Sequence, residues 1–198
     1  MKIHHILTVS VALSACGFGA VAPATAEELH VAPITAIVAS KLKPALNDQT
    51  IIAAIKAQNI SNGEISQADI EALDQKWRSQ VEAGGGEMLD KELGSPASAY
   101  LKKVRDDADG LITEVFVMDA HGLNVAQSDP TSDYWQGDEA KWQKTFGTGG
   151  DVVFVDAVEQ DESSQMLQSQ ASFTILDPET GSPIGAATVG VNLDKLEP

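Results

Sequence analysis

The residues with the greatest chemical reach sit together between Ser128 and Phe146, in the run Ser-Asp-Pro-Thr-Ser-Asp-Tyr-Trp-Gln-Gly-Asp-Glu-Ala-Lys-Trp-Gln-Lys-Thr-Phe. Tyr134, Trp135 and Trp142 offer flat apolar walls that also carry a hydroxyl or an indole N–H, and Asp133 offers a carboxylate able to fix an amine through a charge-assisted bond. Gly137 lets the backbone turn tightly between them. This is equipment for holding a small molecule, without a nucleophile and base beside it. Packing competes as an explanation. Aromatic side chains near a sheet commonly seal an interior, and Asp138 and Glu139 suit the first turn of a helix, where acids meet its dipole favourably.

The charge pattern narrows the ligand. From Leu111 onward the chain has no Arg and only Lys141, Lys144 and Lys195, so an anion finds few partners, and amine, amino-acid or neutral ligands fit better. The carboxylate of a zwitterion would fall to backbone N–H groups or to Lys141. Alternate residues Gln168, Gln170, Ser172 and Thr174 give one strand a polar face, of which Gln170 and Ser172 are the pocket candidates; a solvated sheet face reads the same way.

Catalytic and metal chemistry find little support. Beyond the leader described below, His30 and His121 are the only histidines, and His121 falls in a turn, which leaves a Ser/His/Asp arrangement without a base in place. No G-x-S-x-G, P-loop or zinc spacing occurs. Asp106, Asp107 and Asp109 before Gly110, and the acidic cluster Glu159 to Glu162, lack the twelve-position calcium pattern and read as solvated turns. No cofactor is expected.

The elements that must position these residues follow from periodicity. Leu29, Ile34, Ile37, Val38 and Leu42 predict a first helix with Pro33 in its first turn and Pro44 as its end. Asp48 predicts a cap for Thr50 to Ala57, followed by a loop over Asn59 to Gly63. Ser66 to Asp69 has capping-box spacing, and Ile70, Leu73, Trp77 and Val81 then share a face, which makes Trp77 a core residue. Gly84-Gly85-Gly86 breaks that helix. Ser95 and Pro96 open another, with Leu101 and Val104 inward and Lys102, Lys103 and Arg105 outward. At Asp109-Gly110 the period falls to two. Strands are predicted over Leu111 to Met118, Leu123 to Gln127, Val152 to Val158, Gln165 to Leu176 and Ile184 to Leu193, with a turn at Asp119 to Gly122 and a helix over Asp138 to Phe146. Helices first and a meandering antiparallel sheet afterwards make an α+β domain.

With 198 residues and 43% hydrophobic content the chain can bury one substantial core. A formal charge of -16 argues against nucleic acid or an anionic membrane as partner. Residues 1–26 predict an export signal: Lys2, His4 and His5, an apolar run from Ile6 to Ala22, and Ala24-Thr25-Ala26 before Glu27-Glu28. The alternative within the same segment is Leu13-Ser14-Ala15-Cys16, which has the form of a lipobox acylated on Cys16. Cleavage after Ala26 is favoured, because Gly17 to Ala22 stays apolar where a tether turns polar. Cys16 is the only cysteine, so the mature chain has no disulfide. Residues 27–108 then form the helical region and 109–198 the sheet region. No span and no output domain is read after the last strand.

Three stretches resemble the single Cache domains, the PAS-like (PDC-type) extracellular sensor modules of bacteria: Phe116 to Ser128 resembles the first hairpin, Ser132 to Trp142 the aspartate–aromatic motif, and Ile184 to Asn192 the closing strand. The resemblance implies N-terminal helices on a five-stranded antiparallel sheet, with a small-molecule pocket between a sheet face and the loop and helix that cover it. On that reading the chain is an exported, stand-alone, non-catalytic periplasmic sensor module. Its ligand state would pass to a separate membrane receptor or transporter. The alternative is a structural or protein-interaction domain whose aromatic loop is packing.

Overall fold

The structure, a computed structural model, describes residues 29–160 and 166–196. The expected leader with Cys16 lies outside the described residues, as do most of the acidic cluster after Gln160 and the last two residues.

Helix α1 (Val31–Ile37) runs through a π-helical turn (Val38–Leu42) into α2 (Lys43–Leu46). Pro44 therefore does not end the helix. Proline lacks an N–H, and its ring displaces the carbonyl four residues back; the π turn shifts the local bond to Lys43 N–H→Val38 O and absorbs the misfit. Asp48 caps α3 (Gln49–Ser61), accepting from Thr50 N–H at 2.7 Å. This helix continues past the expected loop start at Asn59, whose side chain reaches the sheet, donating to Ile184 O and accepting from Ala120 N–H.

Ser66 caps α4 (Gln67–Glu82) as its spacing predicts, and Trp77 is fully buried. A short helix absent from the sequence reading, α5 (Glu87–Leu93), follows the glycines; Gln80 Oε1 accepts from Met88 N–H and Leu89 N–H and so caps it from α4. Ser95 caps α6 (Pro96–Asp106). Arg105 does not point outward: it pairs with Asp129 and Asp106, while Lys103 pairs with Asp107.

The sheet comprises β1 (Ile112–Met118), β2 (Asn124–Gln127), β3 (Val153–Val155), β4 (Glu159–Gln160), β5 (Leu167–Leu176) and β6 (Pro183–Asn192). All pairings are antiparallel. The order is β2-β1-β6-β5-β3, with β4 also on β5. The α+β class stands as expected, with two differences. The strand predicted over Val152 to Val158 is shortened to β3, and an unpredicted sixth strand, β4, forms at the start of the stretch read as an acidic turn. The sheet is also not a simple meander, since the last strand returns to the middle beside β1.

One face of the sheet meets the helices. Val115, Val117, Phe173, Ile175, Val189 and Val191 pack there against Ile34, Val38, Leu46, Ile51, Ile55 and Leu101. A second apolar cluster, Ile70, Trp77, Leu89, Leu123 and Tyr134, joins α4 and α5 to the residue before β2 and to the segment after it. The far face carries Phe116, Met118 and Ala186 and is crossed by helix α7 (Ala140–Gln143) and a 3-10 turn (Phe146–Thr148). The cover is thus shorter than the helix predicted over Asp138 to Phe146. Among the described residues no helix is long and apolar enough to cross a membrane.

Candidate functional site

The six candidate residues do not meet in one place. Asp133 is held by Arg78 of α4, with Nη2 at 2.8 Å from Oδ1, and also accepts from Ser132 Oγ. Its carboxylate is thereby neutralised by a cation that lies 55 positions earlier in the chain. Trp135 and Trp142 bracket the β1–β2 turn, their indole N–H groups donating to His121 O at 3.0 Å and Asp119 O at 3.2 Å. Within that turn Gly122 has φ +79, a conformation open to glycine, and its α-carbon side is filled by the Gly137 backbone. Tyr134 is buried against Trp77, ring centroids 5.5 Å apart.

Trp142, Gln170 and Ser172 share the far face of the sheet. Strand register sets a row across it: Phe116 on β1, Thr188 on β6, Ser172 on β5 and Phe154 on β3. Two hydroxyls, bonded to each other at 2.9 Å and buried, thus lie between two phenyl rings. Each ring has a lysine over it from the covering segment: Lys141 Nζ is 5.6 Å from the Phe116 centroid, and Lys144 Nζ is 4.2 Å from that of Phe154. Lys141 also pairs with Glu139 at 2.9 Å.

The neighbouring row is Glu114, Gly190 and Gln170. Gln170 Nε2 donates to Glu114 Oε1 at 2.8 Å across the glycine, where any β-carbon would strike Thr113 and Glu114. The third row places Thr174 beside Ala186 and Met118; the Thr174 hydroxyl is buried and has no partner among the described residues. The far face therefore offers two ammonium groups, a carboxylate, hydroxyls and aromatic walls within one patch.

Sequence reasoning missed Glu114, Phe116 and Thr188 as members of this patch. Strand alternation puts Glu114 and Phe116 on one face, and that signal was available. Thr188 needed the β5–β6 register, which a bulge between Ile175 and Leu176 obscures.

Tyr134 serves elsewhere. It lines a groove of about 680 Å³ between α3, α5 and the start of α6, floored by Val125. Its hydroxyl lies near the Glu92 carboxyl and the Gln58 side chain, which line the same groove. Burial pushes the Glu92 carboxyl up to about 7, against the opposing pull of Lys91 and of the Tyr134 hydroxyl. Burial, together with the nearby Glu92 and Asp119 carboxylates, raises the Tyr134 phenol above its ordinary range. Gln58 and Asn62 in turn donate to Asp119 Oδ2 at 3.1 and 3.0 Å. Among the described residues no three His, Cys, Asp or Glu side chains are grouped to hold a metal ion.

No protein-family model and no curated protein matches the chain. Among solved structures it is similar to the ligand-binding domain of the Campylobacter jejuni chemoreceptor Tlp3 in complex with 4-methylisoleucine, at 13% identity and a TM-score of 0.39, covering 81% of this chain and 64% of that one. It is similar also to the ligand-binding domain of the Pseudomonas aeruginosa amino acid chemoreceptor PctC in complex with GABA, at 14% identity and a TM-score of 0.40, covering 70% and 63%. A third is the sensor domain of the Vibrio cholerae histidine kinase DctB, at 13% identity and a TM-score of 0.35, covering 71% and 57%. The chain thus spans less than two thirds of the length of each. These similar structures are the ligand-binding and sensor domains of two chemoreceptors and a histidine kinase.

Proposed function

We propose that this chain is an exported, non-catalytic Cache-type sensor module that binds a small zwitterion or amine, an amino acid in the simplest case, on the far face of its sheet. The carrying observation is the buried Ser172–Thr188 hydroxyl pair set between two phenyl rings, with Lys141 and Lys144 above and Glu114 in the next row. Apolar residues at those positions would give a drier and cheaper interior, since buried polar groups cost free energy unless fully paired. The ligand carboxylate would face the lysines and hydroxyls, its ammonium would face Glu114 and Gln170, and Trp142 would wall the site. Asp133 and Trp135 hold the covering loop. The ligand-dependent position of that loop is the signal, read by a separate membrane receptor or transporter in the periplasm.

Thermal-shift screening against amino acids, amines and short organic acids tests this. A site-specific ligand at a hundredfold its Kd stabilises by about 2.7 kcal/mol. Ser172→Ala and Lys144→Gln should remove the shift while the unliganded melting temperature stays within a few degrees. If no compound shifts wild type while Trp142→Ala costs about 3 kcal/mol or more, the loop is packing and the structural reading replaces this one.

A further inference from the structure

The groove beside Tyr134 has a chemistry of its own. Along α3 its wall is made of small side chains, Ala53, Ala54 and Ala57, and its floor is Val125. Its polar end carries Glu92 with Lys91 next to it, the Tyr134 hydroxyl and Gln58. An aliphatic chain a few carbons long fits such a wall, and a single partly buried carboxyl at the end selects for a cation.

We propose that this groove is a second binding site, separate from the sheet face, for a primary aliphatic amine whose ammonium is held by Glu92 and the Tyr134 hydroxyl while its chain lies along Ala53, Ala54, Ala57 and Val125. The formal charge of -16 favours approach of a cation over an anion. The groups that face Glu92 are Lys91 from its own helix, Tyr134 from the segment after β2, and, behind Tyr134, Asp119 from the β1–β2 turn. Lining residues from α3, α4 and α6 are uncharged: Thr50, Gln58, Ser61 and Asn62, Leu73, and Ser95 with Pro96. Because the carboxyl holds its proton up to about pH 7, a proton and an ammonium compete for it. Affinity rises about tenfold per pH unit up to that value and levels off above it.

Titration calorimetry of the whole protein with n-butylamine, from about pH 5.5 to about 8.5, reads this directly. The expected result is binding that strengthens with that slope. Glu92→Gln should weaken it more than tenfold and flatten the pH profile. Ala57→Leu, which fills the wall and leaves the carboxyl in place, should weaken it while keeping the slope; Ser172→Ala should change nothing. Absence of binding at every pH, or a Glu92→Gln protein that binds as wild type does, overturns the proposal. So does butyrate binding that strengthens below about pH 7, which would make the groove a carboxylate site. Because Ser172→Ala tests the sheet face alone, failure here leaves that site standing, and the reverse holds too.

Discussion

Asp119 reads in sequence as an ordinary turn residue. In the fold it is fully buried and takes four hydrogen bonds, from His121 N–H, Leu123 N–H, Gln58 Nε2 and Asn62 Nδ2. The turn itself was legible, since Gly122 supplies the left-handed residue that a tight hairpin requires. The two amides were not, because they come from a helix about sixty positions earlier and no local pattern announces them. Asp133 teaches the same lesson, its charge met by Arg78 from α4. Glu92 gives a prediction at this scale. Its folded carboxyl titrates near 7, above its unfolded value, so between about 4.5 and about 7 the folded state holds more protons than the unfolded one. Its contribution to stability therefore falls as pH rises through that window. The wild-type minus Glu92→Gln difference in urea midpoint should decline from about pH 4.5 to about 7 and then stay flat; a constant difference would show that burial does not perturb this group.

Among the elements, those that announce themselves carry their own caps. Asp48, Ser66 and Ser95 each precede a helix and each accept a hydrogen bond from its first turn. Helix α5 has no such cap: Gly86 stands at its start, and Gln80 does the capping from the preceding helix. A reading that looks for caps at the sequence boundary passes over it. Gln80→Ala should cost about 1 kcal/mol, as loss of a cap does, and should raise amide exchange in 87–93 without change in β5 and β6. Uniform acceleration across the chain would instead make Gln80 a global packing residue. The π turn before Pro44 escaped for a related reason: proline is read as a stop, whereas a wider turn lets the helix bend around it.

At the scale of the molecule, two of the three apolar centres among the described residues are walled by the N-terminal helices. The larger, between helices and sheet, follows from alternation in β1, β5 and β6 and from the helical face of Ile34, Val38 and Leu42; this much of the fold was legible. The smaller, around Trp77, has its tryptophan marked as core by helical spacing, but its partners Leu123 and Tyr134 lie on the far side of the chain. Regions with separate cores open separately. Trp77 also donates to Thr131 O at 2.8 Å. Trp77→Ala should lower the opening free energy of α4 and α5 by about 3–5 kcal/mol, with strand amides in β1, β5 and β6 keeping most of their protection. Equal loss in both regions would show one cooperative unit.

The flanks of the sheet bear on how copies of this protein meet. Strand β5 is ten residues long, yet its outer side is covered by two short pieces of three and two residues, the second of which begins with Glu159; the opposite margin, β2, has only four. A ragged, acid-bearing margin gives a neighbouring chain no straight ladder to extend. Copies of this protein that crowd together would then meet without adding strands to one another's sheets.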